Sequence, residues 1–91
     1  MNERLRAVID GVVQGAGFRY FVIQRARALG ISGFVANRRD GSVEVVAEGQ
    51  RDVLEDLLRR LREGPRSGIV EDVSVEWNEA SGEFDHFDVK Y

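Results

Sequence analysis

Three glycines, Gly11, Gly15 and Gly17, fall within seven residues and are followed at once by Phe18 and Arg19. Glycine permits positive φ and lets a backbone approach a ligand closely, so successive N–H groups in such a run can converge into a concave nest. With a helix beginning at Phe18, the nest opens at a helix N-terminus, where backbone donors and partial positive charge hold phosphate. Arg19, in the first turn of that helix, adds a forked pair of charged hydrogen bonds. Together these groups describe an oxyanion cradle. The same spacing also suits a tight strand-to-helix connection with no ligand, and it matches neither GxGxxG nor the phosphate loop ending in GKS or GKT. Asn37 is the second residue with usable chemistry. Its amide can accept a water proton while steering the molecule, though it is too weak a base to remove one, and it can equally hydrogen-bond the turn at Arg38-Arg39.

Other chemistries find little material. His86 is the sole histidine, and with no cysteine and no clustered carboxylate pattern it anchors neither a metal site nor a catalytic triad, so no metal or cofactor is expected. The acid pairs Glu55-Asp56 and Glu71-Asp72 are adjacent in sequence and diverge in direction on a helix or strand. Arg25, Arg27, Arg59, Arg60 and Arg62 read as solvated helix faces, and Trp77 and Phe87 as sheet-face or core residues. At 91 residues, 43% hydrophobic and 32% charged, the chain suits one globular domain spanning 1–91. The missing cysteines fit a reducing cytoplasm. No apolar run approaches the roughly 20 residues of a membrane span, and the segment MNERLRAVID lacks the apolar core of a signal peptide. A cytoplasmic location follows as the expectation. The net charge of −3 conceals an asymmetry: residues 1–39 carry seven arginines against Glu3 and Asp10, whereas residues 40–91 carry fourteen acids against six bases. The basic part contains the glycine loop, which favours a small anion, while a nucleic-acid binder of this size would be basic overall.

The elements that must position these residues follow from periodicity. Residues 5–9 alternate as a half-buried strand, and Phe18, Val22, Ala26 and Leu29 form a helical stripe stopped by Gly30. Segments 33–38 and 42–48 read as strands joined by Arg39-Asp40-Gly41, in which Asp-Gly signals a hairpin. A second helix over about 51–62 presents Val53, Leu54, Leu57, Leu58 and Leu61 and ends at Gly64-Pro65. Val73, Val75 and Trp77 alternate as a further strand, and Phe87, Val89 and Tyr91 mark a last short one. The order predicts an α+β, ferredoxin-like βαββαβ sandwich: an antiparallel sheet, two helices on one face and a short extra C-terminal strand.

The run QGAGFR (14–19), with GFVAN (33–37), DGSVEVVAEG (40–49), Gly64-Pro65 and FDVKY (87–91), resembles the acylphosphatase family over nearly the whole chain. Of the family signature G-x-V-Q-G-V-x-F-R, the residues Gly11, Val13, Gln14, Gly15, Phe18 and Arg19 fit, while Ala16 replaces the usual valine and Val12 stands where relatives often carry a base. The resemblance implies that the backbone of Gln14, Gly15, Ala16, Gly17, Phe18 and Arg19 binds phosphate, that Arg19 clamps it, and that Asn37 positions the attacking water. It implies a small-molecule acyl phosphate as substrate, with inorganic phosphate or sulfate as competitive ligand.

Elementary chemistry is compatible with so sparse an inventory. The leaving group is a carboxylate, whose conjugate acid has a pKa near roughly 4, so it departs without being protonated. Phosphoryl transfer then needs mainly positioning and charge neutralisation. Two other readings compete: an accessory module of the same fold, as is fused to hydrogenase-maturation proteins, and an RNA-recognition module that stacks bases on sheet aromatics. Residues 42–46 lack such aromatics. Neither a nucleic-acid nor a membrane partner is expected, and a monomer is the expected state.

Overall fold

The computed structural model describes residues 2–15 and 17–91. Its elements in chain order are β1 (Asn2–Val12), α1 (Phe18–Ala28), β2 (Ser32–Asn37), β3 (Val43–Gln50), α2 (Arg51–Glu63), β4 (Ile69–Glu79) and β5 (Phe87–Val89). Strand β1 is longer than its alternating stretch because it is paired on both sides, antiparallel to β3 and to β4, and both ladders carry it beyond residues 5–9. The sheet runs β4-β1-β3-β2-β5. Each of its pairings is antiparallel except the last, in which β5 runs parallel to β2 with Gly33 opposite Phe87.

Period-2 alternation sets which face is covered. Leu5, Ala7 and Ile9 of β1, Val35 of β2, and Val43, Val45 and Ala47 of β3 have no accessible surface. The register aligns them, with Leu5 opposite Ala47, Ala7 opposite Val45 and Ile9 opposite Val43. Phe18, Val22 and Ala26 of α1 and Leu54, Leu57 and Leu61 of α2 pack on that face as one apolar cluster. The other members of the predicted stripes, Leu29, Val53 and Leu58, are half-buried against it. Among the described residues, no helix is long and apolar enough to cross a membrane.

The opposite face is held differently. Arg4 donates to Glu48 at 2.7 Å and Arg6 to Glu44 at 2.8 Å. Glu48 is nearly inaccessible, and it also accepts the Ser81 N–H at 2.8 Å, the Ser81 hydroxyl at 3.1 Å and the Gly82 N–H at 3.0 Å. Burial pushes its carboxyl pKa up, but the hydrogen bonds from Ser81, Arg4 and Gly82 outweigh that and hold it below the usual value. The segment between β4 and β5 is thereby strapped across the sheet, with Phe84 edge-on to Phe34 at 5.9 Å. This strap carries the chain from one sheet edge to the other, and it is why β5 arrives parallel to β2.

Candidate active site

Where β1 ends, the chain turns through residues 13–17 into α1. Gly15 and Gly17 have φ of 75° and 72°, left-handed values that a Cβ would strain, so the turn depends on residues without side chains. Gly17 is the N-cap of α1. Among the described residues no side chain caps this helix, and no acidic residue stands in its first turn. Among the described residues the first helical bond runs from the Phe21 N–H to the Gly17 carbonyl, and the amides of a helix's first turn lie ahead of such bonds, directed out of the helix end. Phe18, 1% exposed, anchors the turn by burying its ring in the apolar cluster.

A cleft of about 230 Å³ opens at this turn, lined by Val13, Gly15, Gly17, Phe18, Arg19, Tyr20 and Asn37. Arg19 and Asn37, eighteen positions apart in sequence, thus line one cleft. Arg19 is half-buried, and its guanidinium lies 5.6 Å from the centre of the Tyr91 ring. Among the described residues no carboxylate pairs with it, so its charge is not spent within the protein. Asn37 is the exposed last residue of β2, opposite Val43. The turn that follows is bonded by other groups: Asp40 accepts from the Ser42 N–H at 3.0 Å and from its hydroxyl at 2.5 Å, and the Ser42 hydroxyl and N–H hold its carboxyl below the usual range. No hydrogen bond of the Asn37 side chain is present among the described residues, so the reading of Asn37 as the turn-bonding group finds its role filled by Asp40.

The remaining residues expected of the site divide. Gly15, Gly17 and Phe18 line the cleft, whereas the Gln14 side chain turns to the β2–β3 hairpin, donating to the carbonyls of Arg38 and Ser42. Ala16 lies outside the described residues. Val13, matched in the signature but given no site role, and Tyr20, not singled out in sequence, also line the cleft. Tyr20 did carry a signal, being a large aromatic off the apolar stripe of α1, and it is 67% exposed. A larger cleft, about 410 Å³, separates the helices beside Arg25, Asp56, Arg59, Arg60 and Glu63. Its Arg59 and Arg60 are paired with Asp56 and Glu63. Among the described residues, no three His, Cys, Asp or Glu side chains are grouped to hold a metal ion.

The acylphosphatase family model matches residues 5–89 of the chain. A curated acylphosphatase of Salinibacter ruber is 48% identical over 89 residues, covering 98% of this chain and 94% of the relative. Among solved structures, an acylphosphatase from Bacillus subtilis superposes with a TM-score of 0.94 at 36% identity, covering 98% and 99% of the two chains. Full-length HypF, in a phosphate- and nucleotide-bound form, contains a region similar at 26% identity with a TM-score of 0.92, which is 12% of that chain.

Proposed function

The chain belongs to the acylphosphatase family and hydrolyses acyl phosphates, and we propose that it does so with the turn at residues 14–19 as phosphate cradle, Arg19 as clamp and Asn37 as the residue that aims water. The observation that carries this reading is the single cleft shared by Gly15, Gly17, Arg19 and Asn37. A phosphoryl group seated at the start of α1 meets backbone donors and the helix dipole on one side. The Arg19 fork, free of any carboxylate among the described residues, meets it on another. Arg19 and these amides neutralise charge on the equatorial oxygens as the transition state forms. Asn37, across the cleft, accepts a hydrogen bond from water and aims its oxygen at phosphorus.

The water oxygen bonds to phosphorus while the P–O bond to the acyl group breaks, its electron pair leaving with the carboxylate. One water proton passes to a phosphate oxygen, so no protein base changes its protonation. Neither step draws on a metal or a cofactor. Residues 1–91 act as one domain, with inorganic phosphate or sulfate as competitive ligand. The charge pairs and strap on the open sheet face leave no aromatic platform on β1 or β3 for stacking nucleobases. The likeness to HypF extends to a small part of that chain, so the activity of the larger protein is not carried over. The test is hydrolysis of benzoyl phosphate by purified protein with no added metal and with chelator present. Turnover is expected, and its loss in chelator would overturn the unassisted mechanism.

A further inference from the structure

Gln14 belongs to the cradle segment by position, yet its side chain serves the opposite wall. Its amide nitrogen donates to the Arg38 carbonyl at 2.6 Å and to the Ser42 carbonyl at 2.8 Å. Both partners can only accept, so the amide must present its NH₂ group there, and both of its donors are used. Arg38 and Ser42 are where the β2–β3 hairpin closes: the Arg38 N–H donates to the same Ser42 carbonyl at 2.9 Å, and Ser42 is 1% exposed. Asn37 immediately precedes Arg38. Strand β3 lies between β1 and β2, and the β1–β3 ladder ends at Ile9 opposite Val43. Beyond that point, among the described residues, the two bonds of Gln14 are the hydrogen bonds that join segment 13–17 to hairpin 38–42.

We infer that Gln14 is a positioning residue for the hydrolysis: it fixes the distance between the phosphate cradle and Asn37. Without it, phosphate still binds the backbone and Arg19, but the water held by Asn37 is no longer in line with the scissile bond. The argument is geometric, because a nucleophile displaced by about 1 Å can lose on the order of a hundredfold in rate. The inference rests on the proposed role of Asn37, and the test separates the two.

Gln14→Met keeps the length of the side chain and removes both donors. Gln14→Glu keeps the shape, sets a carboxylate against two carbonyl oxygens at neutral pH, and regains one O–H donor when protonated. The measurements are kcat, the inhibition constant of inorganic phosphate, and the melting temperature, with Gln14→Met also made in an Asn37→Ala background. A fall in kcat of about 10- to 100-fold is expected for both single variants, with the phosphate constant within about threefold of wild type. For Gln14→Glu, kcat relative to wild type should rise as pH falls toward about 4.3, the ordinary glutamate pKa. In the Asn37→Ala background the Gln14→Met loss should vanish, since the group it positions is gone. Wild-type kcat in Gln14→Met, losses that multiply in the double variant, or a phosphate constant that weakens in step with kcat would each overturn the inference. A drop in melting temperature with kcat unchanged would also overturn it, by making Gln14 a stabilising residue only. Full activity in Asn37→Ala alone would instead overturn the site reading, a result distinguishable because Gln14→Met would then be judged by its own kcat.

Discussion

Arg19 and Asn37 touch the same cleft but differ in what their removal should cost. As the proposed clamp, Arg19 would face the charge of the phosphoryl group in ground state and transition state alike. Arg19→Ala is therefore expected to weaken the phosphate inhibition constant and to lower kcat by about 10²- to 10³-fold, the scale for losing a preorganised charge-stabilising donor. Arg19→Lys should recover little, because a point charge does not reproduce the planar fork. In the proposed mechanism Asn37 holds water rather than phosphate, so Asn37→Ala is expected to lose rate while keeping phosphate affinity. Steady-state kinetics with phosphate as inhibitor decide both, and equal effects of the two variants on kcat and affinity would contradict the division of roles. At this scale the residue types were legible, but the use of Gln14 was not. Its two acceptors lie 24 and 28 positions away, and nothing local in sequence says which way its amide turns.

Among the elements, the strap between β4 and β5 concentrates its polar stabilisation on one carboxylate, Glu48, which bonds Arg4, Ser81 and Gly82. Its folded pKa is depressed, so the stability it contributes is fully present above the unfolded value and is lost as pH falls through the folded one. Denaturant midpoints should therefore fall in acid, below about pH 4.3, the ordinary glutamate value. Glu48→Gln should lower stability at neutral pH by about 1.5–3 kcal/mol, the scale of hydrogen bonds to a charged group, and should flatten the acid limb. An unchanged limb in that variant would assign the acid sensitivity elsewhere. Alternation and the Asp40-Gly41 turn announced the strands and hairpin, because those signals are local. The parallel docking of β5 was not announced. Three residues carry no directional signal, and direction is set by the crossing of residues 80–86, which Glu48 anchors from another strand.

For the molecule as a whole, the long edge strand β4 bears on assembly. It exposes Glu71, Asp72, Glu76 and Glu79, and charge along a sheet edge opposes pairing with a second copy. Sedimentation at micromolar concentration should show a monomer, and a concentration-dependent heavier species would refute that. Phosphate should raise the melting temperature through linkage, by about 2.7 kcal/mol of stability at a hundred times its dissociation constant, and Arg19→Ala should suppress the rise. The sequence by itself determined the order of elements, the two apolar helix stripes, the glycine turn and, through motif likeness, the family and its reaction. Each depends on neighbours within a few residues or on a run of matching letters. Tertiary structure alone decided that Arg19 and Asn37 line one cleft, that Asp40 rather than Asn37 closes the hairpin turn, and that Gln14 ties the cradle to that hairpin. Those outcomes turn on which side chain reaches which carbonyl across the end of the sheet, and such distances exist only once the register of β1, β3 and β2 has placed the two loops side by side.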